Sequence, residues 1–235
     1  MLLTVITSTL LAGLTMPLGA LLACIEKIES NWLEQEFRHS VIAFGGGALL
    51  SAVALVMVPE GLVHLNRVTA PFYLILGSCC FMALDIYLNK INTPASQLAA
   101  MISDFVPESI ALGAAFAIGS ETALLLAGLI ALQNLPEGFN ACHELNDTQR
   151  FSRKTIVGLF TLMALLGPVA GVSGYLWLGD APVVVSAIML FSAGGILYSI
   201  FQDIAPQVKL EKHYAPPLGA ILGFALGLIG FMVIH

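Results

Sequence analysis

Basic side chains are scarce in this chain and absent from its apolar stretches. Only nine of 235 residues are Lys or Arg, and all nine fall in expected loops or at the edges of expected helices. The sequence therefore holds no clustered basic surface for nucleic acid, and a net charge of −6 points the same way. The four cysteines, Cys24, Cys79, Cys80 and Cys142, form no Cys-x-x-Cys pair. They read as buried thiols, and neither a disulfide framework nor a cysteine zinc site is expected. Histidine is equally sparse: His39, His64, His143, His213 and His235 all lie at expected helix ends or in loops. His143-Glu144 starts like a zinc-hydrolase motif, but its fifth position is Asp147 where a second imidazole is required. No serine is paired with a buried histidine. These absences argue against an enzyme. No low-complexity tract or extended linker interrupts the chain, so residues 1–235 read as a single transmembrane domain.

What is present is apolar surface. Hydrophobic residues make up 58% of the chain and charged ones 10%, with a mean hydropathy of +0.91, the composition of an all-α integral membrane protein. Runs of about 20 residues, enough to cross a bilayer, fall at about 2–24, 39–63, 70–88, 97–119, 121–143, 155–178, 181–206 and 214–234. Eight transmembrane helices are expected. The first has no basic leader and no small-residue cleavage site, and is counted as a true span. Counting alternate loops, Lys27, Arg38, Lys90, Arg150, Arg153, Lys154, Lys209 and Lys212 share one side, while Arg67 stands alone on the other. The positive-inside bias makes the first side cytoplasmic and both termini external. The acidic stretch from Glu26 to Glu36 is then a solvated cytoplasmic connection. Short loops and the lack of a targeting segment favour a bacterial inner membrane, with lipid as the surrounding partner.

Within these spans one phrase is written three times: Asp104-Phe105-Val106-Pro107-Glu108, Gln133-Asn134-Leu135-Pro136-Glu137 and Asp203-Ile204-Ala205-Pro206-Gln207. A carboxylate near a bilayer centre costs roughly 2.5–3.5 kcal/mol, so the repetition calls for a compensating partner. The assigned spans offer no Lys or Arg to Asp104, Glu108, Glu137 or Asp203. Protons, hydrogen-bond donors or a transported cation remain. Pro107 and Pro136 lack N–H groups, which predicts kinks that free the carbonyls of Ser103 and Leu132. Asp104 with Glu108, and Gln133 with Glu137, are four residues apart and share a helix face. Two such faces together surround one point with oxygen donors. Small-residue runs at Gly45-Gly46-Gly47, 111–119, 167–174 and 219–230 permit close helix approach, consistent with one bundle rocking against another and equally common in static membrane packing.

Gln133-Asn134-Leu135-Pro136-Glu137-Gly138 resembles the fifth-helix signature of the ZIP (Zrt/Irt-like) divalent metal transporters. Asp104-Phe105-Val106-Pro107-Glu108-Ser109 resembles a diverged copy of the fourth-helix signature, usually His-Asn-x-Pro-Glu-Gly. Gln202-Asp203-Ile204-Ala205-Pro206 is similar to the His-Glu-x-x-Pro of the seventh helix, and Val58-Pro59-Glu60 to the Pro-Glu that ends the second. The resemblance covers all eight spans and implies a ZIP-like bundle that carries a divalent metal towards the cytoplasm. It implies a mid-membrane metal site from Asp104, Glu108, Gln133 and Glu137, with Asn134 near an adjoining second metal position. It places Glu60 towards the pathway entrance, Gln202 and Asp203 towards the exit, and Asp85 as a weaker exit candidate. The metal is substrate, and no cofactor is expected. The resemblance and the small-residue faces also allow a homodimer.

This chain departs from the family pattern at its nitrogen ligands. Asp104 and Phe105 replace the fourth-helix His and Asn, Ser109 the terminal Gly, and Gln202 the seventh-helix His. Gly167-Pro168 stands where many bacterial members carry Glu-Pro, and Phe105 offers a second metal nothing. Carboxylate and amide oxygens without imidazole suit Mn²⁺, Fe²⁺ or Mg²⁺ relatively better than a typical zinc site does, with Zn²⁺ and Cd²⁺ still among the substrates. The competing expectation is a degenerate relative that binds metal as a sensor or partner without transporting it.

Overall fold

A computed structural model of the chain describes residues 1–25, 31–91, 93–147, 151–209 and 214–234, with the backbone alone for Asn31, Pro94, Ala95, Gln97 and Asp147. Lys27, Arg150, Lys212, His213, His235 and residues 26–30 of the acidic stretch lie outside the described residues. Among the described residues there is no strand, and eight helical rods follow one another. They are α1 (Leu2–Ile25), α2 (Asn31–Ala52, then Val53–Met57 and Val58–Leu62), α3 (Thr69–Ile91), α4 (Pro94–Ala117) and α5 (Ala123–Asp147). After them come α6 (Arg153–Ala164 and Leu166–Leu178), α7 (Pro182–Ser199, then Ile200–Ile204 and Ala205–Val208) and α8 (Ala215–Ile234).

Among the described residues, seven of these rods are long and apolar enough to cross a membrane. The exception is α5, which is just as long but carries Gln133, Asn134, Glu137, Asn140, His143 and Glu144 from its middle onward. Large apolar side chains such as Leu3, Phe72, Ile75, Trp177 and Leu222 are exposed on the outside, while Glu108, Gln133 and Asn134 are buried. This inverts the pattern of a water-soluble bundle and fits a multi-pass membrane protein.

Proline decides where rods change. Just before Pro59 and Pro206 the helix widens to a π turn, with Val58 N–H reaching Val53 and Ala205 N–H reaching Ile200. A proline has no N–H and its ring excludes the carbonyl four residues back, so the preceding amide reaches one residue further. Pro168 has a related effect: α6 breaks at Leu165, between Ala164 and Leu166. Pro107 and Pro136, where kinks are predicted, lie inside rods that stay helical throughout.

The most extensive pairings sort the rods into two groups of four. α1 packs on α5 and α6, and α4 on α6; α2 packs on α8 and, through its last turns, on α7, which also carries α3. The seam between the groups runs along α2–α5 and α4–α7. Inside the groups, glycines let backbones touch. A Cβ on Gly47 would lie 1.9 Å from the Ala220 carbonyl oxygen, and one on Gly113 would lie 1.9 Å from that of Gly171.

Two expectations need correction. α2 begins at Asn31, not near residue 39, so Arg38 lies within a helix. Within this extension the buried Glu36 carboxylate accepts the N–H groups of Tyr214 (3.2 Å) and Ala215 (2.7 Å) at the start of α8. Cys79 and Cys80 are exposed, because α3 turns only a narrow stripe, including Ala70 and Gly77, inward.

Candidate cation site

A cavity of about 780 Å³ lies in the seam between the two groups. Its wall on α4 comes from Thr93, Ser96, Ala100, Met101 and Asp104, and on α5 from Gln133, Pro136, Glu137, Asn140, Ala141 and Glu144. Those intervals of three and four residues form one stripe on each helix, which is how the sequence spacing becomes a shared wall. The stripe on α4 starts at a defined point, because Thr93 N–H bonds Ser96 Oγ at 3.2 Å in a reciprocal capping box. The mouth lies at the end where α3 meets α4, near Lys90 and beside Asn89 and Gln207.

Five carboxylates line the cavity: Asp85, Asp104, Glu137, Glu144 and Asp203. Among the described residues no Lys or Arg lines it. At its floor Asp104 and Gln133 face each other from α4 and α5. Asp104 Oδ1 and Gln133 Oε1 are buried acceptors with no donor from the protein among the described residues. Each such orphan costs about 1–3 kcal/mol, and a cation would offset both. Glu108, one turn beyond Asp104, is 2% exposed and does not line the cavity. Both its oxygens accept from Gln133 Nε2, at 2.6 and 2.7 Å. Asp104, Glu108 and Glu137 lie within electrostatic range of one another.

Other expected site residues are placed elsewhere. Asn134 turns from the cavity and donates to the Ala12 carbonyl at 3.0 Å. Phe105 is buried with its ring against Gly13 and Gly167, where a Cβ on either would come within 2.8 Å of it, so it fills the groove between α1 and α6. Asp203 is exposed in the π turn of α7 and lines the mouth, whereas Gln202 faces a shallow hollow with Ser78 and Tyr198. Glu60 lies at the far end of α2 from the mouth. Among the described residues no three His, Cys, Asp or Glu side chains gather closely enough to hold a metal ion, and the Gln133 amide stands between the acids.

No protein-family model matches this sequence, and no curated protein matches it. The chemistry of the site is therefore carried by its own residues: hard oxygen donors along an open polar cavity and, among the described residues, no Lys or Arg on the wall. Sequence reasoning missed the mouth's supporting contacts. Asp85 accepts from Asn89 Nδ2 at 2.9 Å and from the Tyr198 hydroxyl at 3.1 Å. Arg38 Nε donates to Asn140 Oδ1 at 3.1 Å, and Asn140 Nδ2 to Glu144 Oε1 at 2.8 Å. The four-residue spacing of Asn140 and Glu144 signals their pairing; nothing local signals Arg38.

Proposed function

We propose that this chain is a divalent-cation carrier of the ZIP-like kind. In this reading all eight rods cross a membrane, both termini lie outside, and cation moves from the Glu60 side towards the cytoplasm. The observation that carries the reading is the acid-lined cavity, whose floor sets Asp104 against Gln133 and Glu137 with two buried acceptors that lack donors among the described residues. An acidic wall concentrates cations, and among the described residues no lining Lys or Arg repels them. The dehydrated ion binds Asp104, the Gln133 oxygen and Glu137; Glu108 joins when the Gln133 amide releases it. Release runs past Asp203 and Asp85. Oxygen donors alone favour Mn²⁺ or Fe²⁺ over Zn²⁺ relative to an imidazole site.

The test is metal flux into liposomes holding the purified protein, comparing Mn²⁺, Fe²⁺, Zn²⁺ and Cd²⁺ with a Glu108→Ala/Glu137→Ala control. Flux that vanishes in the control supports a carrier. Zn²⁺ outcompeting Mn²⁺ and Fe²⁺ by a large factor would remove the ion preference. One observation favours the second reading, a metal-binding sensor or partner that does not transport: Gln133 already satisfies both Glu108 oxygens. Binding without flux for every metal would select it.

A further inference from the structure

The end of the seam opposite the cavity mouth is closed in two layers. Beyond the floor, Val53, Val56 and Met57 of α2 belong to one buried apolar cluster with Leu112 of α4, Ile130 of α5 and Met189 of α7, all at most 3% exposed. Above this dry layer lies a polar cluster that the transport site does not use. Glu60 Oε1 accepts the Ser120 hydroxyl at 2.6 Å and the Thr122 hydroxyl at 2.8 Å. Ser120 Oγ and Thr122 Oγ1 are themselves 2.9 Å apart.

The donors and the acceptor belong to different helix groups. Ser120 and Thr122 sit in the turn between α4 and α5, while Glu60 ends α2. Each side is held firmly on its own group. The Glu60 carbonyl accepts from Ser186 Oγ of α7 at 3.2 Å. The turn is set by Gly119 at φ 71°, a conformation that favours glycine, with Gly119 N–H on Phe116 O (3.2 Å) and Ser120 N–H on Ala115 O (2.9 Å). That pattern is a Schellman ending of α4, and it aims the Ser120 hydroxyl across the seam.

We propose that Glu60, Ser120 and Thr122 form a latch that holds the two helix groups together at the sealed end, and that the latch must open before the cation site can be reached from that side. Two hydroxyls on one carboxylate oxygen are charge-assisted bonds, stronger than neutral ones and lost together when the groups separate. The apolar layer alone has no polar contact to set its register. Glu60 is thus a positioning residue that governs access. The proposal rests on the carrier reading for its purpose, not for its test.

The test uses the full-length chain with its four cysteines replaced by alanine and a reporter Met57→Cys placed in the dry layer. In liposomes, a membrane-impermeant maleimide is applied from the Arg67 face, without metal. Glu60→Ala and, separately, Ser120→Ala/Thr122→Val are expected to raise the labelling rate about tenfold, with Glu60→Gln in between. A Leu88→Cys reporter at the cavity mouth labels alike in all of them from the Lys90 face. Unchanged Met57→Cys labelling in both latch variants overturns the proposal, as does a rise for Glu60→Ala alone. So does a parallel rise at Leu88→Cys, which would mark general loosening. Because no metal enters the assay, the latch can fail while flux succeeds, or hold while flux is absent.

Discussion

The seams inside each helix group and the seam between the groups are built by opposite rules. Inside, backbone meets backbone: a Cβ on Gly47, Gly113 or Gly194 would come within 1.9 Å of a carbonyl oxygen on the partner helix. Between the groups, glycines meet mainly side chains: a Cβ on Gly45 would lie 2.7 Å from the Pro136 ring and 3.8 Å from the Gln133 carbonyl oxygen, and one on Gly230 would lie 2.8 Å from the Leu125 side chain. The rest of that seam is an acid-lined cavity at one end and side-chain packing at the other. Small residues in the sequence fit both rocking surfaces and static packing, and those with the closest backbone contacts, Gly47, Gly113 and Gly194, pack helices within a group. In the carrier reading, motion is left to the seam whose contacts are mainly side chains.

The strongest way to break this contrast is to widen an inner seam. Gly47→Val pushes a branched side chain into the Ala220 backbone, which has no flexible end to yield. A loss of at least about 3 kcal/mol is expected, read as a collapse of the melting temperature in detergent. Gly128, with nothing within 4 Å of its would-be Cβ, is the control. Gly128→Ala should stay within about 1 kcal/mol of the parent, on the stabilising side. The next effect tests the outer seam's chemistry. Asp104→Ala removes a cavity-floor carboxylate with an orphan oxygen, so flux should fall about 10–100-fold with the melting temperature held or raised. A drop in stability equal to that of Gly47→Val would mean the cavity floor is packing, not a site.

Much of this architecture is legible in the sequence because hydropathy acts locally. The spans expected at 70–88, 155–178 and 214–234 agree with α3, α6 and α8 to within three residues. The start of α2 is missed because Glu36 and Arg38 are placed by α8 and α5, which hydropathy along α2 cannot see. At the site, Gln133 and Glu137, four residues apart, line one wall of the cavity, and Asp104 lines the wall from α4. Spacing also puts Glu108 on that wall, but Gln133 draws it back from the cavity, a tertiary choice. Asn134 and Phe105 turn to α1 and α6 because Ala12 offers a carbonyl and Gly13 and Gly167 offer a space for a ring. Prolines are equally visible and equally ambiguous: the same residue yields a π turn in α2 and α7, a break in α6 and a continuous helix in α4 and α5.

Smaller effects separate a contact that serves folding from one that serves the seam, and the two lie two residues apart on α2. Glu36 caps α8 within its own group, so Glu36→Ala should cost about 0.5–2 kcal/mol of stability, the range for a lost N-terminal cap. Glu36→Gln keeps an acceptor oxygen and should lose less. Arg38 reaches across the seam to Asn140 and lies 3.9 Å from Glu144, with side chains 22% and 40% exposed. Solvent screens such a pair, so Arg38→Ala should change stability by no more than about 1 kcal/mol. Thermal melting of both variants in one detergent checks the order. If Arg38→Ala proved the more damaging, the mouth would be clamped as firmly as a glycine seam, and the division of the molecule into two fastened groups with a loose joint between them would have to be given up.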